Sequence, residues 1–422
     1  MVMKSKVLIV GGTGYLGKRL VKASLAQGHV TYVLQRPEVG VDIEKVQTLL
    51  SFKEQGALLV HGSFDDHQSL VNAVKLVDVV ICTISGVHIR SHQILLQLKL
   101  VEAIKQAGNI KRFLPSEFGT DPARMENAME PGRVTFDDKM VVRKAIEDAG
   151  IPFTYVSANC FAGYFLGGLC QPGRIIPSRD SVVLLGDANQ KVIYVDEDDI
   201  ATYTIKTIDD PRTLNKTLYL RPSENILSQR EVVEIWENLI GKVLDKSTIS
   251  REEFLATMKE KNYAEQVGLT HYYHVCYEGC LANFQIGEEG EEASRLYPEV
   301  NYTMVDKYLT RYLTGIGVLV TENLRILAVH QQSPANCKNW PGRPPLLVCY
   351  ETQANYQESE DEEERIGFSL TLGVISQKAV FDLFVCRSVP TFDVASEIVI
   401  WVVAVGCVCH CRTHRKNRCS TQ

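Results

Sequence analysis

The stretch GGTGYLG, residues 11–17, constrains this chain more than any other. It follows the apolar run VLIV (7–10) directly and opens the amphipathic segment GKRLVKASLAQG (17–28). A strand, a glycine turn and a helix in that order form a phosphate-binding loop. Gly11 supplies the unusual backbone angles of the turn. A side chain at Gly14 would block a pyrophosphate, and Gly17 lets the helix pack on the sheet. The free N–H groups and positive dipole end of the helix then favour phosphate. Gly11, Gly12, Thr13, Gly14, Tyr15, Leu16 and Gly17 are therefore candidate cofactor-binding residues.

The end of the second strand selects the dinucleotide. NAD enzymes usually carry an acidic residue there for the ribose hydroxyls. This chain has LQRPE, with Arg36 at that place. A guanidinium suits a 2′-phosphate, and Lys45 adds a second positive charge from the next helix. The implied cofactor is NADPH.

The alternation continues beyond the loop. Strands are expected at 30–36, 57–62, 77–85, 111–116 and 152–159, with helices near 42–55, 66–76, 91–108 and 137–149. Such alternation with right-handed crossovers gives an α/β fold, a Rossmann-type doubly wound parallel sheet. We divide the chain into a dinucleotide-binding domain (1–159), a smaller substrate-binding part interleaved with the last strands (160–313) and an irregular extension (314–422). Helices with polar starts are expected at 229–241 and 250–262. In the extension, YQESEDEEERIG is acidic and IVIWVVAVGCVC (398–409) is apolar but short of the roughly 20 residues that span a bilayer. The alternating spacing of CVCHC (407–411) matches no zinc pattern, so no metal site is expected.

A net charge of −6 over 422 residues gives no electrostatic footprint for nucleic acid or an acidic membrane surface. Five of the twelve cysteines lie before residue 314, without metal-ligand spacing. They read as reduced thiols, and with no signal-peptide pattern at the N-terminus we expect a cytoplasmic protein.

TFDDKM (135–140) holds the candidate catalytic residue, Lys139. On a helix, Lys139 and Arg143 share a face. Ordinary short-chain dehydrogenases place a tyrosine four residues before such a lysine; here that residue is Thr135. A lysine without the tyrosine suits a more acidic proton than an alcohol's, such as a phenol's, whose pKa is about 10. Taken alone, the stretch is equally compatible with a surface lysine pairing Asp137 or Asp138.

Several segments carry a family resemblance: VLIVGGTGYLGKRLVKASLAQGH, SGVHIRSHQILLQLKLVEAIKQAGN, KRFLPSEFG and TFDDKM. They resemble the plant pinoresinol–lariciresinol reductases, within the isoflavone reductase-like, NmrA-type group of atypical short-chain dehydrogenases. The resemblance runs from about residue 5 to YPEVNYTMVDKYLTRYL, ending at 313. It implies an NADPH-dependent oxidoreductase of lignan biosynthesis that opens the benzylic ether of a phenolic lignan through a quinone methide. It also implies Lys139 as general base, Arg143 against the cofactor and a homodimer. A late histidine is implied near substrate. LTHYYHVCYEG offers His271 and His274, of which distance from the lysine motif favours His271. Val87, His88, Leu98, Phe161, Tyr164 and Phe165 are further pocket candidates, equally compatible with core packing for the aromatics. Two other readings stay open: a sister reductase of phenylcoumarans or isoflavones, and a protein that senses NADP without chemistry.

Overall fold

The computed structural model describes residues 4–85 and 94–313, and a short antiparallel pair, Glu351–Thr352 with Leu370–Thr371. Val87, His88, the acidic run and the apolar stretch at 398–409 lie outside the described residues. Contacts divide the chain into two units, Met1–Ser333 and Pro334–Gln422. The first unit carries the parallel sheet and its helices.

Five strands form that sheet: β1 (Lys6–Val10), β2 (Val30–Gln35), β3 (Leu58–His61), β4 (Val79–Cys82) and β5 (Arg112–Leu114), in the order β3-β2-β1-β4-β5. The helices between them are α1 (Gly17–Ala26), α2 (Ile43–Glu54), α3 (His67–Val74) and α4 (Gln97–Ala107). The reversal of strand order beside β1 creates the crevice where such sheets bind ligands. Val7, Leu8, Ile9, Val79, Val80 and Ile81 are all at most 1% exposed, as strands covered on both faces must be.

Helix α5 (Arg133–Asp148) comes next, then β6 (Thr154–Ser157). A parallel bridge between Phe113 and Phe153 continues the sheet from β5 towards β6. Beyond β6 lie β7 (Cys160–Phe161), α6 (Ala162–Phe165), β8 (Ser181–Leu185), β9 (Lys191–Val195), α7 (Glu197–Thr207) and β10 (Lys216–Tyr219). Then come β11 (Ile226–Ser228), α8 (Gln229–Ile240), β12 (Asp245–Ile249), α9 (Arg251–Lys259), α10 (Tyr263–Cys276) and β13 (Gly290–Glu292). β10 pairs in parallel with both β6 and β13, so strands from the later part of the chain extend the sheet. Capping boxes at Ser228, Ser250 and Asn262 start α8, α9 and α10, each with a glutamate three residues on.

Several element ends differ from expectation by a few residues, and one of these shifts bears on the site. Helix α5 begins at Arg133 rather than at 137, so TFDDK is helical throughout and Thr135 is buried. Glycine at 132 is required there, because a Cβ would lie 2.7 Å from the Thr270 side chain of α10. The first turn of α5 is thus packed closely on α10.

Candidate active site

The glycine loop has the geometry its spacing predicts. Gly11 sits at φ +86°, and a Cβ there would lie 2.8 Å from Thr83 Oγ1 on the end of β4. A Cβ at Gly17 would overlap the Gly11 carbonyl. The loop closes on itself through the Gly14 N–H, which donates to Gly11 O at 2.9 Å. No side chain caps the start of α1 and its first turn holds no acid; the N–H groups of Lys18, Arg19 and Leu20 donate back to Gly14 O and Leu16 O, and those ahead of them face the place of an anion. The Arg19 guanidinium fixes the loop from outside: Nη1 donates to Tyr15 O at 2.7 Å and the group stacks 4.4 Å over the Tyr15 ring. A pyrophosphate fits this cradle.

Arg36 follows β2 directly and is exposed. Lys45 Nζ is tied to Asp42, the residue that caps α2. Its local role is to close that helix start, a pairing the spacing did not suggest.

Helix α5 turns one stripe inward, and Thr135, Lys139 and Arg143 lie on it at four-residue intervals. Lys139 is 7% exposed, and its Nζ donates to Glu117 O at 2.7 Å. It is therefore no surface lysine; Asp137 pairs instead with Arg133 at 3.2 Å. Burial lowers the Lys139 pKa from the ordinary lysine value. The Glu117 carboxylate opposes this, Arg143 adds to it, and Asp121 opposes it. The outcome is a buried amine that gives up its proton more readily than a free lysine.

Arg143 is held by carboxylates. Its Nε donates to Glu117 Oε1 at 2.7 Å, and Nη2 lies 2.5 Å from Glu117 Oε2 and 2.9 Å from Asp121 Oδ1. The guanidinium stacks 4.1 Å over the Tyr155 ring of β6. Burial alone would lower its pKa, but Glu117 and then Asp121 raise it, so it stays charged. Through Nε and Nη2 the arginine holds the loop after β5 by two protein acids. The family resemblance implies a cofactor contact for Arg143 and gives Glu117 and Asp121 no role. Both follow β5 at the carboxyl end of the sheet, and that placement could have marked them.

The same loop is pinned elsewhere. Ser116 N–H donates to Gln97 Oε1 and Ser116 Oγ to Ile84 O, both at 2.7 Å. Gly119 O accepts from Ser157 Oγ at 3.0 Å and from Asn159 N–H at 3.2 Å. Between them Phe118 sits at φ +27°, a strained value for an aromatic residue. The carbonyl that anchors Lys139 is thus fixed from β4, α4 and the end of β6.

Helix α10 brings up the histidines. His271 is half-buried, its ring edge-on to Phe136 of α5 at 5.1 Å. His274 is 3% exposed; its Nε2 accepts from Met129 N–H at 2.9 Å and its Nδ1 lies 2.6 Å from Glu278 Oε2. Both His274 nitrogens are spoken for, so its work is structural. Among the aromatic pocket candidates, Tyr164 is edge-on to Tyr15 of the glycine loop at 5.6 Å, and Phe165 lies against Tyr272 of α10 at 4.7 Å. Phe161 and Leu98 are partly buried against the two main cores. The five described cysteines, Cys82, Cys160, Cys170, Cys276 and Cys280, are free thiols.

The comparisons with known proteins agree with this architecture. Residues 3–309 match the NmrA-like family. A bifunctional pinoresinol-lariciresinol reductase 2 of Linum usitatissimum is 79% identical over 310 residues, 74% of this chain and 94% of that protein. An isoflavone reductase homolog of Lupinus albus is 70% identical over 310 residues, 74% of this chain and 99% of that protein. Among solved structures, AtPrR2 with NADP+ and (+)pinoresinol is 59% identical with a TM-score of 0.72, over 74% of this chain and all of that one. On the family match and these identities, the chain belongs to the NmrA-like family.

Proposed function

We propose that this protein is an NADPH-dependent lignan reductase that opens the benzylic ether of pinoresinol to give lariciresinol, and then that of lariciresinol. Two of the comparisons support the substrate class: a relative named for both reductions and a similar structure holding pinoresinol. The observation that carries the chemistry is Lys139, a buried amine of lowered pKa anchored on Glu117 O.

Bound NADPH supplies the hydride. Gly11 to Gly17 would hold its pyrophosphate and Arg36 its 2′-phosphate. Lys139 takes the phenolic proton para to the benzylic ether. The phenolate electrons move through the ring, the benzylic C–O bond breaks, and a quinone methide forms. The expelled alkoxide takes a proton from solvent. Hydride addition at the benzylic carbon restores the phenolate, which recovers its proton from the Lys139 ammonium. Glu117 and Arg143 keep the amine in place; His271, beside Phe136, would border the aromatic substrate. The homodimer that the resemblance implies belongs to this proposal and is checked by light scattering on the full chain.

The test is chiral product analysis of racemic pinoresinol with NADPH and the full chain. Lariciresinol, followed by secoisolariciresinol, is expected. Consumption of a phenylcoumaran or an isoflavone but not of pinoresinol would replace this reading with that of a sister reductase.

A further inference from the structure

The Lys139 chemistry leaves one group on the same helix face unused. Thr135 precedes Lys139 by one turn, and residues so spaced have Cβ atoms about 5–6 Å apart. It is 9% exposed, and its Oγ1 has no hydrogen-bond partner among the described residues. Buried helical threonines elsewhere in the chain satisfy themselves locally. Thr204 donates to Ile200 O at 2.7 Å, Thr207 to Thr204 O at 2.8 Å and Thr270 to Gln266 O at 2.8 Å. Thr135 does not, although its own N–H donates to Gly132 O one turn back at 3.2 Å. Lys139 is no partner either: its Nζ donates to Glu117 O and makes no bond to this hydroxyl. An unsatisfied buried hydroxyl costs stability, so its retention calls for a reason outside the folded chain's own bonds.

The surroundings supply one. Phe136 and His271 meet at 5.1 Å, and Gly132 abuts Thr270, so α10 closes over this end of α5. Lys139 thus stands one turn beyond the hydroxyl, and two aromatic rings meet beside the same end of the helix. We propose that Thr135 positions the substrate's phenolic oxygen: its Oγ1–H donates to that oxygen while Lys139 takes the proton. The bond strengthens as the oxygen becomes anionic, both before ether cleavage and after hydride addition. Thr135 then occupies, with a shorter side chain, the place where ordinary short-chain dehydrogenases put their tyrosine. This role rests on the lignan reductase function proposed for the chain.

Thr135→Val and Thr135→Ser test it in the full chain. Losing a hydrogen bond to a charged oxygen predicts a drop in kcat/KM of about 10- to 100-fold for the valine variant. The rising limb of its kcat profile should move to higher pH, because the bound phenol has lost a donor, while the kcat/KM limb set by Lys139 of the free enzyme stays in place. Serine should restore most of the rate. The valine variant should melt no lower than wild type, since a hydroxyl without a bond stabilises nothing. Valine turnover within about twofold of wild type, serine no better than valine, or a fall in melting temperature matching the fall in rate would each overturn the proposal. Wild-type turnover checks the parent function separately. Should wild type reduce only a phenylcoumaran, the variant ratios are measured on that substrate, whose phenol asks the same of Thr135.

Discussion

Arg143→Met removes a charge of nearly the same bulk from between two buried carboxylates. Wild-type Arg143 makes three contacts of 2.5–2.9 Å to Glu117 and Asp121, whose side chains are 4% and 5% exposed. Without it, the carboxylates face each other with little solvent, and one must protonate or move. Breaking a buried ion pair from one side costs about 3–5 kcal/mol. Residues 4–313 number 310, and at about 2.1 cal/mol/K per residue they unfold with an entropy near 0.65 kcal/mol/K. The melting temperature should therefore fall by about 5–8 °C. Turnover should fall as well, because Glu117 O anchors Lys139. Melts followed by circular dichroism, with NADPH titrations by fluorescence quenching, separate two roles. An unchanged melting temperature with weakened NADPH binding would refute the ion-cluster argument and return Arg143 to the cofactor. As a control, Glu117→Gln and Asp121→Asn added to Arg143→Met should recover part of the loss, since no buried charge is then stranded.

Three further outcomes are expected. Lys139 must be neutral to act, so kcat/KM rises with pH through its lowered pKa; Glu117→Gln removes the anion that raises that pKa, and the limb should shift to lower pH. An unshifted or alkaline-shifted limb would remove Lys139 from the base role. His274→Leu strands the Met129 N–H and should cost about 1–3 kcal/mol in urea unfolding with a smaller effect on turnover, while His271→Leu should do the reverse; exchanged results would swap the two histidines. Arg36→Glu should lower the NADPH-over-NADH ratio of kcat/KM by about 10- to 100-fold, and an unchanged ratio would place the 2′-phosphate elsewhere.

Local periodicity made much of the fold legible. A strand shows period two or an apolar run and a helix 3.6, and a glycine turn between them needs only residues 11–17. The expected first-domain strands and helices are present, with shifts of a few residues at their ends. The glycine turn and the helix that carries Lys139 were legible because each pattern sits within a few adjacent residues. The earlier start of α5 has no mark in the local periodicity, and the close packing of its first turn involves Thr270, far along the chain.

The sequence by itself determined the layered parallel sheet, the phosphate cradle, the arginine after β2 and a lysine on a helix. Only the tertiary structure decided what those charged groups do. It gave Arg143 to Glu117 and Asp121, Lys45 to Asp42 and His274 to Met129 and Glu278, and it left the Thr135 hydroxyl with no bond to the described residues. The physical reason is range. Backbone conformation follows from neighbours within one or two turns, whereas a buried charge or hydroxyl takes its role from whichever distant group folding brings within about 3 Å.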